Sequence, residues 1–232
     1  MGLTLLHVDH PAALPDRASI TALEPDPVRP ATVHVWVDGR RFCTVPVEAL
    51  RDAGLTVGSA VDRAAAAELG RAADREAAFR TALRALERRA FSANDLARRL
   101  VRKGHPPQAV DHAIERLNAV GLLDDARYAA QFVEVYSARG RGPVRLRADL
   151  RRRGVGSDVI DRALAEQFPP GTDLKAQTVA LAKKRAAQLG DLSHGVKRRR
   201  LLAYLARRGF RGSEVLEAVN EVLMQPASGS DS

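Results

Sequence analysis

Cysteine is almost missing from this 232-residue chain: Cys43 stands alone, so no intrachain disulfide can form and a reducing compartment is expected. Aromatic residues make up only 4%, while Ala, Leu and Arg abound, a balance that favours helix over sheet. No run approaches the roughly 18 apolar residues of a membrane helix. The N-terminus has neither a basic stretch nor an apolar core of the secretory kind, so a cytoplasmic protein away from membranes is expected. Signatures of catalysis are also absent. The six histidines (His7, His10, His34, His105, His112, His194) are scattered without cysteine partners or an HExxH pair, which argues against a metal site. Gly190 to Gly195 has the glycine spacing of a phosphate loop but continues Val196-Lys197-Arg198, and no strand precedes it. No serine or cysteine sits in a nucleophile context. An enzyme is not expected, nor a cofactor.

What is present is positive charge, unevenly placed. The formal net charge is +9; residues 1–70 carry 9 acidic and 6 basic side chains, which leaves +12 for the remainder. That remainder suits an acidic partner, nucleic acid or an anionic protein groove.

The basic part is periodic. Counting from Gly154, Leu146 lies at −8, Leu150 at −4, Arg152-Arg153 at −2 and −1, Ile160 at +6, and Ala163-Leu164 at +9 and +10. Gly104 repeats the frame with Leu96, Leu100, Arg102-Lys103, Val110 and Ala113-Ile114. Gly209 repeats it with Leu201, Leu205, Arg207-Arg208, Val215 and Ala218-Val219. The anchors lie 50 and 55 residues apart, the spacing of a helical repeat. Leucines four apart share one helix face, the basic pair suits the carbonyl end of the dipole, and glycine can take the left-handed stop. Each unit therefore reads as helix, glycine stop, helix, and must stack on neighbours to bury its apolar face.

In chain order, the five prolines of residues 1–30 read as a flexible tail, matched by residues 225–232. Residues 31–70 read as a β-hairpin with short helices near 47–53 and 60–69. Asp38-Gly39 is its two-residue loop, setting Val37 opposite Arg40, Trp36 opposite Arg41 and Val35 opposite Phe42. Trp36 beside Arg41 reads foremost as an exposed cation–π pair, with a stacking platform for a base as the alternative. Three three-helix repeats follow at 71–124, 125–170 and 171–224. The first helix carries Phe79, Leu83 and Leu86 inside, and Asp124-Asp125 cap the start of the second repeat. The fold class expected is mainly α: an elongated array of tandem three-helix repeats behind a small N-terminal β-hairpin and helix module.

Residues 139–153 hold seven arginines against one acid, Asp149. With Leu146 and Leu150 on the core side, Arg145, Arg147, Arg151 and Arg152 fan over the solvent arc. Substituting Arg145, Arg151 or Arg152 is therefore expected to cost under about 0.5 kcal/mol each. Lys197-Arg198-Arg199-Arg200 precedes Leu201 in the third repeat, and Lys183-Lys184-Arg185 adds a further patch. The candidate binding residues are Arg139, Arg141, Arg145, Arg147, Arg151, Arg152, Lys197, Arg198, Arg199 and Arg200, facing nucleic acid or an anionic protein groove.

LLDDARYAAQFV from Leu122, the Arg139-Gly-Arg-Gly-Pro143 turn, the repeated Leu-x3-Leu-x3-Gly frame and the VDGRRFCTVPVEAL hairpin resemble the RecX family, the bacterial regulators of the RecA recombinase, over about residues 31–224. The resemblance implies tandem three-helix repeats and no catalysis. It implies a protein that binds the groove of the RecA–single-stranded-DNA filament and suppresses its ATPase, coprotease and strand-exchange activities; a monomer is expected. The Pro-containing N-terminal stretch and the Pro106-Pro107 turn depart from the family pattern. Helix pairs around a glycine also describe a helix-turn-helix, so binding single- or double-stranded DNA alone is the rival reading.

Overall fold

A computed structural model describes residues 18–224; residues 1–17 of the expected N-terminal tail and all of the expected C-terminal tail, 225–232, lie outside the described residues. The chain forms two compact units. The first runs to Leu123, and the second begins at Asp124 and also takes in Ser92–Asn94.

The first unit opens with an antiparallel sheet in sequential order: β1 (Ile20–Asp26), β2 (Arg29–Val37) and β3 (Arg40–Pro46). Asp38 and Gly39, at φ 47° and 75°, make the tight loop their sequence favours. Val37 meets Arg40 and Trp36 meets Arg41 as that loop dictates. A bulge then shifts the ladder, so Val35 faces Cys43 rather than the expected Phe42. Val33, Val35, Val37, Cys43 and Val45 form the buried face, and Phe42 packs at its margin. On the outer face the Trp36 indole donates to the Glu24 carboxylate at 3.0 Å. Arg41 turns away to His34 and Thr44, so the expected cation–π pair is replaced by a polar cluster.

Strand β1 corrects the reading of residues 1–30 as tail. Its Pro25 sits opposite Val33 on an edge strand, where a missing N–H costs no ladder bond, and Ile20 is fully buried. Proline marks an edge here, not an absence of structure.

After α1 (Val47–Asp52), α2 (Arg63–Leu86) is one continuous helix of 24 residues, capped by Asp62 accepting from the Ala65 amide. The expected division near residue 70 does not occur. The first half of α2 covers the sheet through Ala66, Leu69, Ala72 and Ala73. Its second half packs on α4 through small residues: Ala78, Ala82 and Ala85 are buried, while Phe79, Leu83 and Leu86 are only partly so. Small side chains let the helices approach closely, and the larger ones lie at the rim. The unit closes with α3 (Ala93–Arg102) and α4 (Pro107–Ala119), the latter with proline in its first turn, where no backbone donor is needed.

The second unit holds α5 (Asp125–Ala138), α6 (Pro143–Arg152) and α7 (Ser157–Gln167), then α8 (Leu174–Ala187), α9 (His194–Arg208) and α10 (Ser213–Met224). Asp124 caps α5 by accepting from the Ala126 and Arg127 amides at 2.8 and 2.9 Å. All six frame leucines (Leu96, Leu100, Leu146, Leu150, Leu201, Leu205) are 0% exposed, and the three frame glycines take φ between 75° and 91°.

Two joints in this unit share one geometry. The Ser92 hydroxyl donates to the Arg153 carbonyl at 2.7 Å, and Asn94 packs where a Cβ on Gly154 would stand. Likewise the Gly142 amide donates to the Arg208 carbonyl at 2.8 Å, and the Arg145 backbone nitrogen lies 2.3 Å from where a Cβ on Gly209 would stand. Ser92 and Gly142 hold the same −12 position in their frames, and each bonds the −1 carbonyl of the next frame. Frame glycine is required twice over at these joints, by its backbone angle and by the approach of the neighbouring segment.

Candidate functional site

The basic cluster of the second repeat is built on an aromatic stripe. Tyr128, Phe132 and Tyr136 recur at four-residue spacing on α5, with the Phe132 and Tyr136 rings 4.4 Å apart. Arg141 lies 4.2 Å and Arg139 5.3 Å from the Tyr136 ring centroid, and Arg153 lies 4.7 Å from that of Phe132. Guanidinium groups prefer such faces.

Beneath them is Asp149, only 1% exposed. Arg141 Nη1 reaches its carboxylate at 2.7 Å and Arg145 Nε at 3.2 Å; Arg152 pairs with it as well. Arg153 donates to the Asp149 carbonyl at 3.0 Å. A carboxylate buried this far from water is tolerated because several charge-assisted bonds fill its lone pairs. The expectation that Arg145 and Arg152 are free solvent-facing cations is thereby corrected: both side chains are partly exposed, yet their heads are tied to one buried acid. Arg147 pairs with Asp161 across to α7. Of the cluster, Arg151 and Arg139 keep their guanidinium groups clear of any acid among the described residues.

The third repeat differs. Helices α3 and α6 both begin 11 residues before their frame glycine, whereas α9 begins 15 before, one turn longer. Lys197, Arg198, Arg199 and Arg200 fall on that added turn and the one after it. The three arginines are exposed, and none of the four pairs with an acid among the described residues. They also stand near the amino end of α9, where no acidic residue accompanies them and Ser193 makes no side-chain cap. Like charges one turn apart, Lys197 and Arg200 among them, repel one another. Lys197 holds the −12 position which in the other two frames belongs to the joint residues Ser92 and Gly142.

The candidate residues thus separate into cations paired with an acid within the fold and cations without an acid partner among the described residues. The wheel alone could have found the hub: Asp149 lies three residues after Leu146 and one before Leu150, on the core side. The patch Lys183-Lys184-Arg185 lies on α8, where Arg185 and Arg208 both approach the Tyr204 ring, at 5.7 and 5.2 Å. No group of three or more His, Cys, Asp or Glu side chains among the described residues is arranged to hold a metal, and no described helix is long and apolar enough to cross a membrane.

Comparison with known proteins places these repeats. Residues 78–117 match the family description "RecX, first three-helix domain", and residues 124–164 match "RecX, second three-helix domain". A regulatory protein RecX of Halorhodospira halophila is 39% identical over 148 residues, covering 62% of this chain and 86% of that protein. One of Chromohalobacter salexigens is 37% identical over 138 residues, covering 60% and 88%. A crystal structure of a regulatory protein RecX superposes with a TM-score of 0.72 at 24% identity, over 88% of this chain and 99% of the other, a likeness of fold. The tandem three-helix repeats, the glycine frame and these relatives together make this chain a member of the RecX family of regulatory proteins.

Proposed function

We propose that the chain is a non-enzymatic, monomeric, cytoplasmic regulator that binds the RecA–single-stranded-DNA filament and lowers its ATPase, coprotease and strand-exchange activities. The observation that carries this reading is the run Lys197 to Arg200: four successive cations in the first two turns of α9, without an acid partner among the described residues. Like charges one turn apart, such as Lys197 and Arg200, repel one another with no acid to offset them, which is expected where a surface serves a partner. Arg139 and Arg151 extend the basic surface. Arg141, Arg145, Arg147 and Arg152 add positive potential while bound to Asp149 and Asp161. Arginine's planar fork suits the carboxylates of successive recombinase subunits or the DNA phosphates.

The test is a titration of the single-stranded-DNA-dependent ATPase of the cognate RecA with this protein. Turnover should fall at sub-stoichiometric protein. Unchanged turnover at equimolar protein would overturn the proposal. Binding to DNA alone, with log affinity falling at about 0.7 per phosphate against log salt and no effect on turnover, would make the chain a stand-alone DNA-binding protein.

A further inference from the structure

We propose that a cleft between α5, α8 and α9 binds an acidic peptide segment of a protein partner. The cleft encloses about 810 Å³. Four cations line it, Arg139, Lys184, Arg185 and Arg208, against the single carboxylate of Glu134. Two of the four are held in place before any ligand arrives. Arg208 donates to the Arg139 carbonyl at 2.6 Å and to that of Gly140 at 3.4 Å. Arg185 donates to Gln188 at 2.9 Å, and its buried Nε lacks a hydrogen-bond partner. Lys184 is exposed and pairs with no acid among the described residues. An excess of positioned donors over acceptors calls for carboxylate or phosphate.

The remaining lining favours peptide over nucleic acid. Single strands are gripped by stacking bases on open aromatic rings. The ring of Tyr204 is instead already approached by the guanidinium groups of Arg185 and Arg208. Gln167 and Gln177 supply amide groups that match the donors and acceptors of a peptide backbone, and Leu181 supplies an apolar surface. The proposal extends the regulator reading by naming the chemistry of a protein partner, but its test needs no recombinase.

Fluorescence anisotropy of the full chain with a labelled hexaglutamate peptide, and separately with labelled oligothymidine, reads the site. The peptide should bind, and Lys184→Glu should weaken it tenfold or more. Ala180→Glu, which sets a carboxylate at the cleft, should act in the same direction. Both positions are exposed, so melting temperature should hold. Lys103→Glu, outside the cleft, should keep the wild-type affinity. The proposal is overturned if the wild-type chain fails to bind the peptide, or if both cleft variants bind it unchanged. It is equally overturned if oligothymidine alone binds and is lost in Lys184→Glu, which would make the cleft a nucleic-acid site. If the peptide binds as expected but wild-type protein leaves recombinase ATPase untouched, the cleft stands and the regulator reading fails.

Discussion

Arg141 and Asp149 meet at 2.7 Å, bringing the turn between α5 and α6 against the middle of α6. The pair fixes that turn, and the turn's next residue, Gly142, makes the joint bond to the Arg208 carbonyl. The ion pair thus links the core of the second repeat to its attachment to the third. Asp149→Ala should therefore cost about 1.5–3 kcal/mol, the range for lost hydrogen bonds to charged groups, because the partly exposed arginines can regain water. Arg151→Ala, with no acid to lose, should stay within about 0.5 kcal/mol. Urea unfolding of the two variants measures the contrast.

Leu150 is 0% exposed and sits among Phe132, Val133 and Ile160 in the core of the second repeat. Leu150→Ala should cost about 2–5 kcal/mol through lost burial and the cavity left behind. Equilibrium unfolding reads this directly, with little change expected in helical circular dichroism at room temperature.

Gly104 and Gly209 share a left-handed backbone, at φ 87° and 91°, but not surroundings. Nothing lies within 4 Å of a Cβ on Gly104, whereas one on Gly209 would stand 2.3 Å from the Arg145 nitrogen. Gly104→Ala should then cost about 1–2 kcal/mol from backbone strain alone. Gly209→Ala should cost distinctly more and loosen the Gly142 joint. Hydrogen exchange at the Gly142 amide separates the two effects.

Stability at low pH should respond to Asp26. Burial works to raise its carboxyl, but the Val28 amide at 2.9 Å, with Arg29 and His34 beside it, holds it below the ordinary carboxylate value. A group depressed in the folded state stabilises above its unfolded pKa, and that contribution is lost as pH falls through the folded value. The stability difference between wild type and Asp26→Asn should therefore shrink as pH drops below about 4. Melting curves at stepped pH test the sign; a difference that grows on acidification would contradict it.

The repeats were legible because their signal is local and periodic. Leucines at −8 and −4 and a glycine stop report a helix end without knowledge of anything distant, and all three frames fold as that pattern implies. The Asp38-Gly39 loop was legible for the same reason. Strand β1 was not, since an edge strand tolerates proline and its partner lies beyond a turn. The single helix across residue 70 was hidden by Gly70, which ordinarily weakens a helix but here is carried by burial on both sides. Composition counted the arginines of 139–153 correctly. Only the geometry shows that Arg141, Arg145 and Arg152 converge on Asp149, so reversing Arg145 or Arg152 would perturb the fold along with the surface.

That distinction selects the cleanest measurement. The variant combining Lys197→Glu, Arg199→Glu and Arg200→Glu alters side chains that have no acid partner among the described residues, so its melting temperature should stay close to that of the wild-type chain. Recombinase ATP turnover, titrated with each protein at one salt concentration, then reads the surface alone. The account predicts that wild-type protein suppresses turnover and that the folded variant needs at least tenfold more protein for the same suppression. Equal suppression by both, or none by the wild-type chain, would contradict it.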